Sequence, residues 1–111
     1  VFEKEDHRNF NRKGDAFDVG ETFAGVPFEI ALDAVEEVRK HVPRGTGMAA
    51  FALRWILMNE AVTVAIPGAR NAEQAKANAS ASDLPVIGNE VMAAMEEIYR
   101  TRIAPHVHQR W

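Results

Sequence analysis

The clearest pattern along the chain is a stripe of apolar residues spaced three and four positions apart. Over residues 27–42 its members are Phe28, Ala31, Val35, Val38 and Val42. This spacing predicts an amphipathic helix with one buried face. Further helices are predicted over residues 71–80 and 89–102. Residues 47–59 have little polar surface, so the helix predicted there should be buried on most sides, with Trp55 in the core.

Residues 62–66, with the sequence VTVAI, form a short and nearly continuous run rich in β-branched residues. Such a run is typical of a parallel strand that is covered on both faces. Pro67 and Gly68 end it, and a helix follows directly. A single strand leaves its backbone N–H and C=O groups without neighbours. The pattern therefore predicts that the chain is part of a larger fold or completes its sheet with another chain.

Composition excludes several classes of protein. With 111 residues, 47% of them hydrophobic, the chain is expected to be one globular domain or part of one. No apolar run approaches the roughly 20 residues that a membrane span requires. The net charge of −3, without a dense cluster of Lys and Arg, argues against nucleic-acid binding. Because the chain has no cysteine, a reducing compartment is compatible, and we expect a cytoplasmic protein.

The start of the chain differs from the rest. Residues 1–26 are polar, contain three glycines and have no sustained period, so they are predicted to be an irregular segment. The first residue is Val1. This indicates either that the protein has been processed or that the chain is a piece of a longer one.

The motifs that follow one another in residues 51–85 carry a family resemblance. FALRWILMNEAVTVAIPGARNAEQAKANASASDLP combines ALRW in a helix, a strand ending in IPGAR, a helix with NxEQxxxN and a DLP turn. This order resembles the C-terminal part of the aldo-keto reductases, which use a (β/α)8 barrel and NADP(H) to reduce aldehydes and ketones by hydride transfer. Residues 6–29, DHRNFNRKGDAFDVGETFAGVPFE, resemble more loosely the segment after the seventh strand in one bacterial-type branch.

The resemblance implies a parent fold of the α/β class, the (β/α)8 TIM barrel. This chain alone would be a mainly α-helical part of it, with about four helices and one short strand. The resemblance implies two segments, an irregular segment after the seventh strand (1–26) and the C-terminal barrel portion (27–111). In chain order, the second segment contains an extra helix (27–42), the seventh barrel helix (47–59), the last strand (62–66), the eighth barrel helix (71–80) and a final helix outside the barrel (89–102).

The family's catalytic Tyr, Lys, Asp and His come from earlier strands, and none of them matches a position here. Tyr99 is the one tyrosine and lies at core spacing in the last predicted helix, so its expected role is packing or a surface hydroxyl. The resemblance therefore implies no catalytic residue in this chain, which would be inactive alone. For the substrate, the resemblance implies only a class, which is a small carbonyl compound.

The stretch AIPGARNAEQAKAN, residues 65–78, is the predicted cofactor site. A helix N-terminus offers unpaired N–H groups and a partial positive charge to an anion. In barrel enzymes, phosphate sites gather after strands 7 and 8. An arginine adds a planar, permanently charged fork that suits a phosphate. By resemblance, the residues that border the adenosine 2′-phosphate of NADP(H) or reach its adenine edge are Gly68, Ala69, Arg70, Gln74 and Asn78.

Many relatives carry Lys-Ser in place of Gly68 and Ala69, and Arg in place of Gln74. The positive charge at this site is therefore lower than in those relatives. The resemblance implies that a preference for NADP over NAD would rest mainly on Arg70.

The residues alone leave other interpretations open. Asn71 and Gln74 also fit a capping box, and Asn78 could be a surface amide. His106 and His108 are too few to predict a metal site, and no metal is expected. The chain could instead be an autonomous helical interaction module without enzymatic activity, pairing its strand across a dimer. An orphaned barrel end could also self-associate through exposed strand edges, and it could bind no cofactor by itself.

Overall fold

The computed structural model describes residues 25–110 of the chain. The irregular segment predicted over 1–26 therefore lies almost wholly outside the described residues, as does Trp111. The described elements are α1 (Phe28–Arg39), α2 (Met48–Leu57), α3 (Ala72–Ser80), a 3₁₀ turn (Ala81–Asp83), α4 (Asn89–Ile98), a π-helical turn (Tyr99–Ile103), α5 (Ala104–Val107) and a second 3₁₀ turn (His108–Arg110).

The described chain divides into two compact units. The first comprises residues 25–38 and 95–110, and the second comprises residues 39–94. The buried apolar side chains of the first unit are Val26, Phe28, Ala34, Met95, Ile98 and Val107, and those of the second are Phe51, Ala81 and Ile87. In the second unit α2 contacts both α3 and the 3₁₀ turn that follows α3.

Local signals set the helix boundaries in the second unit. α2 follows a tight turn in which the Thr46 N–H donates to the Pro43 carbonyl oxygen at 3.0 Å. Gly45 occupies the third position of this turn with φ of 82°, a conformation that favours glycine. The N-cap of α2 is Gly47, which has no side chain to accept a hydrogen bond. The N-terminus of α2 therefore has no side-chain cap.

The strand predicted over residues 62–66 does not form, so that part of the fold prediction is wrong for this chain. The residues have no regular secondary structure, and Val64 and Ile66 are 67% and 91% exposed. The physical reason is the one the sequence itself suggests. A strand needs a neighbour for its backbone groups, and residues 25–110 contain no second strand to provide one.

The prediction that the helix over 47–59 is buried on most sides is also wrong. Phe51 is the only buried residue of α2, whereas Trp55 and Ile56 are 40% and 37% exposed. The one charged residue, Arg54, donates from Nε to the Pro85 carbonyl oxygen at 3.2 Å. α2 thus has apolar surface on more sides than its described neighbours cover.

The helix predicted over residues 89–102 is interrupted by a π-helical turn and continues beyond residue 102. α4 passes through the π-helical turn into α5, where Pro105 lies in the first turn. Proline is tolerated there because its missing N–H would have no intrahelical acceptor. The Tyr99 hydroxyl lies 3.0 Å from Nδ1 of His108, and Arg102 pairs with Glu37 at 2.5 Å. These contacts link residues within the first unit.

Candidate functional site

The loop that precedes α3 is fixed by the side chain at the start of that helix. Asn71 is the N-cap, with extended backbone angles of φ −151° and ψ 170°. Its Oδ1 accepts a hydrogen bond from the Gln74 N–H at 2.8 Å. An N-cap side chain that accepts from the third helical residue satisfies one of the donors that every helix start leaves unpaired. Asn71 therefore determines where α3 begins.

Two further amide side chains of α3 hold the loop from the helix side. Oε1 of Gln74 accepts from the Arg70 N–H at 2.8 Å. Nδ2 of Asn78 donates to the Gly68 carbonyl oxygen at 3.2 Å. The arrangement resembles a capping box, except that Gln74 reaches the residue before the N-cap rather than the N-cap itself. Residues 68–70 are thus tied at both ends to one face of α3.

These bonds fix which polar atoms of the two amides remain available. Because the oxygen of the Gln74 amide accepts from a backbone N–H, the two N–H donors on Nε2 of Gln74 remain available. Because a backbone carbonyl requires the nitrogen of Asn78, its Oδ1 acceptor is left over. Within residues 25–110 neither leftover group has a protein partner. Gln74 therefore offers donors at this site, and Asn78 offers an acceptor.

Arg70 presents its charge to the outside of the loop. Its backbone N–H donates to Oε1 of Gln74, and the residue is exposed to solvent. Among the described residues, none forms an ion pair or hydrogen bond with the Arg70 guanidinium. A guanidinium has five N–H donors in a fixed fork. All five remain available to a ligand of opposite charge.

The start of α3 adds backbone donors beside Arg70. The N–H groups of Gln74 and Ala75 are satisfied by the side chain and the carbonyl of Asn71. The first-turn N–H groups of Ala72 and Glu73 have no acceptor within their own helix. They carry the partial positive charge of the helix N-terminus, which favours an anion.

The approach to this loop is open. A Cβ atom built on Gly68 would meet no heavy atom within 4 Å. A cavity of about 370 Å³ lies between α2, α3 and the segment of residues 63–69 that connects them. Ala69 and Asn78 border it together with Leu53, Leu57, Val64 and Pro67. The structure thus brings Asn78 and Ala69 to one cavity, while Gln74 and Arg70 lie outside its lining.

A family model for the aldo/keto reductase family matches residues 2–100. The chain belongs to the aldo/keto reductase family. This confirms the resemblance that the motifs of residues 51–85 predicted. Neither the curated proteins nor the solved structures give a significant match.

Membership in the aldo/keto reductase family implies a TIM-barrel parent fold. Enzymes of the aldo/keto reductase family generally take a nicotinamide cofactor and a carbonyl substrate. The described part of this chain is mainly helical. None of its helices is long and apolar enough to cross a membrane. Within residues 25–110, the His, Asp and Glu side chains form no cluster of three or more that could hold a metal.

One contact of the loop before α3 could not be predicted from the sequence. The carbonyl of Gly68 is the anchor for Asn78, and a backbone acceptor ten residues away carries no residue-type signal. By contrast, the spacing of Asn71 and Gln74 did point to a capping box, and the Asn71 cap is present.

Proposed function

We propose that the chain is the C-terminal portion of an NADP-dependent aldo-keto reductase and supplies the side of the cofactor site that holds the adenosine 2′-phosphate. The family match over residues 2–100 supports the reaction class, which is carbonyl reduction. The observation that carries the cofactor assignment is the Arg70 guanidinium. It is exposed, it has no partner among residues 25–110, and it belongs to a loop fixed to α3.

The donors and acceptors of this loop fit the ligand. A 2′-phosphate is an anion that only accepts hydrogen bonds near neutral pH, and the groups next to the loop are donors. We assign the phosphate to Arg70, to Nε2 of Gln74 and to the free N–H groups at the start of α3. The leftover Oδ1 of Asn78 suits the amino group on the adenine edge. Gly68 and Ala69 would border the ribose.

NADPH, when bound, supplies the hydride that reduces the carbonyl carbon of an aldehyde or ketone. The residues of this chain would act at the other end of the cofactor. They bind the adenosine phosphate, orient it against α3 and set the preference for a 2′-phosphate. Because none of them would touch the reacting atoms, we assign no catalytic residue here. Their contribution is to cofactor affinity rather than to the chemical step.

Replacing Arg70 by alanine in the intact enzyme tests this proposal. A hydrogen bond to a charged group contributes about 1.5–3 kcal/mol, so the Kd of NADPH should rise about 10- to 150-fold. The Kd of NADH, which lacks the 2′-phosphate, should change little. The rate constant kcat at saturating NADPH should also stay close to that of the unchanged enzyme. Fluorescence titration of both cofactors measures the two Kd values.

Lys76→Ala is a matched control because it removes one exposed cation from α3, the helix that follows Arg70. It should leave the Kd of NADPH nearly unchanged. If Arg70→Ala and Lys76→Ala raise the Kd of NADPH equally, the assignment of Arg70 to the phosphate is wrong.

A further inference from the structure

A second cavity lies in the unit of residues 39–94 and shares no lining residue with the cavity beside α3. Its volume is about 330 Å³, at the lower end of the range that holds small molecules. Phe51, Leu84, Ile87 and Val91 form its apolar wall. Phe51 and Ile87 are buried and Leu84 and Val91 are half-buried, so core residues of the unit form part of this wall.

Positively charged side chains stand at this apolar wall. Arg44 and Arg54 both line the cavity. Among the described residues that line it, none is an Asp or a Glu. Neither arginine forms an ion pair within residues 25–110. Two permanent charges therefore line an apolar space, and residues 25–110 supply no counter-charge to them.

The backbone around the cavity holds Arg54 in place. Arg54 is half-buried, and its Nε donates to the Pro85 carbonyl oxygen at 3.2 Å. One donor of the guanidinium is thus used to fix its position on the cavity wall. The terminal nitrogens are left with four N–H donors. A fixed guanidinium loses little side-chain entropy when it binds a planar or tetrahedral anion.

Arg44 is positioned by the turn that leads into α2. The turn closes through the hydrogen bond from Thr46 to Pro43 and has Gly45 at positive φ. The helix that follows begins at Met48, and its N-cap, Gly47, provides no side-chain hydrogen bond. An uncapped helix N-terminus favours a negative charge nearby. The arginine, the turn and the start of α2 thus favour the same sign of ligand charge.

We propose that this cavity binds a small organic anion, whose apolar body lies against Phe51, Leu84 and Ile87 and whose phosphate or carboxylate group is held by Arg44 and Arg54. Both anionic groups accept paired hydrogen bonds from a guanidinium. The site is separate from the proposed cofactor loop, because it contains none of the residues 68–78. It therefore holds or fails independently of the NADP proposal.

Phenyl phosphate tests the proposal because it joins an apolar ring to a phosphate. Calorimetric titration into the full chain should give saturable binding, and inorganic phosphate or phenol alone should bind at least about tenfold more weakly. Amide chemical shifts should change near Phe51, Ile87 and Val91. The affinity should fall as the salt concentration rises, as expected for a charge contact.

Arg44→Gln removes one charge without disturbing the fold, because Arg44 is exposed and its side chain has no hydrogen bond within residues 25–110. The affinity for phenyl phosphate should fall about three- to tenfold. Lys40→Gln, a nearby exposed cation outside the cavity lining, should have no effect. Arg54→Gln should weaken binding further, and Arg44→Gln still decides the question if that variant fails to fold.

Four results would overturn the proposal. One is the absence of saturable binding by phenyl phosphate. Another is equal affinity for phenyl phosphate and inorganic phosphate, since the apolar wall would then contribute nothing. The third is an equal effect of Arg44→Gln and Lys40→Gln on the affinity. The fourth is a set of chemical-shift changes confined to residues 68–78.

Discussion

The side chain of Gln74 combines two roles that depend on the same amide group. Its oxygen accepts the N–H of Arg70 and fixes the loop, which leaves its nitrogen to face an incoming ligand. The capping and ligand interpretations of this residue are therefore compatible. A residue that supplied only positive charge at this position would keep the donor and lose the acceptor.

Substitutions at Gln74 should separate these two roles. Gln74→Leu removes both, so amide exchange at Arg70 should become faster and NADPH affinity should fall. Gln74→Arg also removes the acceptor, and amide exchange should again be faster, but the added cation should restore the affinity for NADPH. Hydrogen exchange by NMR and fluorescence titration measure the two effects.

Gln74→Glu is the complementary control. It keeps an acceptor oxygen, so amide hydrogen exchange at Arg70 should stay slow. Its negative charge should repel the 2′-phosphate and lower the affinity for NADPH. If Gln74→Glu exchanges as fast as Gln74→Leu, the hydrogen bond to Gln74 does not hold this loop.

At the scale of elements, α3 depends on its cap more than on burial. None of its nine residues is buried, so packing contributes little to its stability. Short helices are marginal without tertiary support. The hydrogen bond from the Gln74 N–H to Asn71 is therefore an important local contribution to where and whether α3 forms.

Asn71→Ala should destabilise the chain by about 1 kcal/mol, the typical contribution of an N-cap side chain. Asn71→Asp keeps the acceptor and should leave the stability near that of the unchanged protein, while its negative charge should weaken NADPH binding. Urea unfolding followed by circular dichroism measures the stability. Equal destabilisation by both substitutions would contradict a capping role for Asn71.

Elements whose signals are local were predictable, and those that need distant partners were not. α3 begins within a residue of its predicted start because Asn71 acts only three residues away. The run over 62–66 has the composition of a buried strand, but its backbone partners are absent from the described chain. Trp55 was predicted to lie in a core because its helix has little polar surface. No described neighbour covers it fully, and it is 40% exposed. The helix predicted to end at residue 102 continues into α5, whose first turn includes Pro105.

The site divides in the same way. The pairing of Asn71 with Gln74 could be predicted because capping boxes have a fixed spacing. The bond from Asn78 to the Gly68 carbonyl could not, because it depends on how the loop folds back on α3. The cofactor roles of Gly68, Ala69, Arg70, Gln74 and Asn78 remain predictions.

At the scale of the whole molecule, the exposed apolar residues fit a chain that continues into a larger barrel. Val64, Ile66 and Trp55 are all exposed in the second unit. In the parent barrel of the aldo/keto reductases, neighbouring strands and helices would cover a last strand and the helix before it. Unpaired backbone next to exposed β-branched residues is a template for pairing with another chain.

The 111-residue chain studied alone should therefore self-associate. Sedimentation velocity should show larger species as the concentration rises. Ile66→Lys should shift the distribution towards the monomer, because a charge on an exposed strand-like segment opposes pairing. Val35→Lys, which removes an exposed apolar residue from α1, should have a smaller effect because helical backbone is already paired. A concentration-independent monomer would contradict this prediction.

The hydrogen bonds that hold the Gly68–Arg70 loop span three, four and ten residues of sequence. Contacts this close along the chain require little loop closure, so they can form on the timescale of helix formation, well before distant strands meet. In a barrel, the eighth strand must wait for the first, and that step is long-range. The loop of residues 68–70 should therefore take shape early in folding, before the sheet closes beside it.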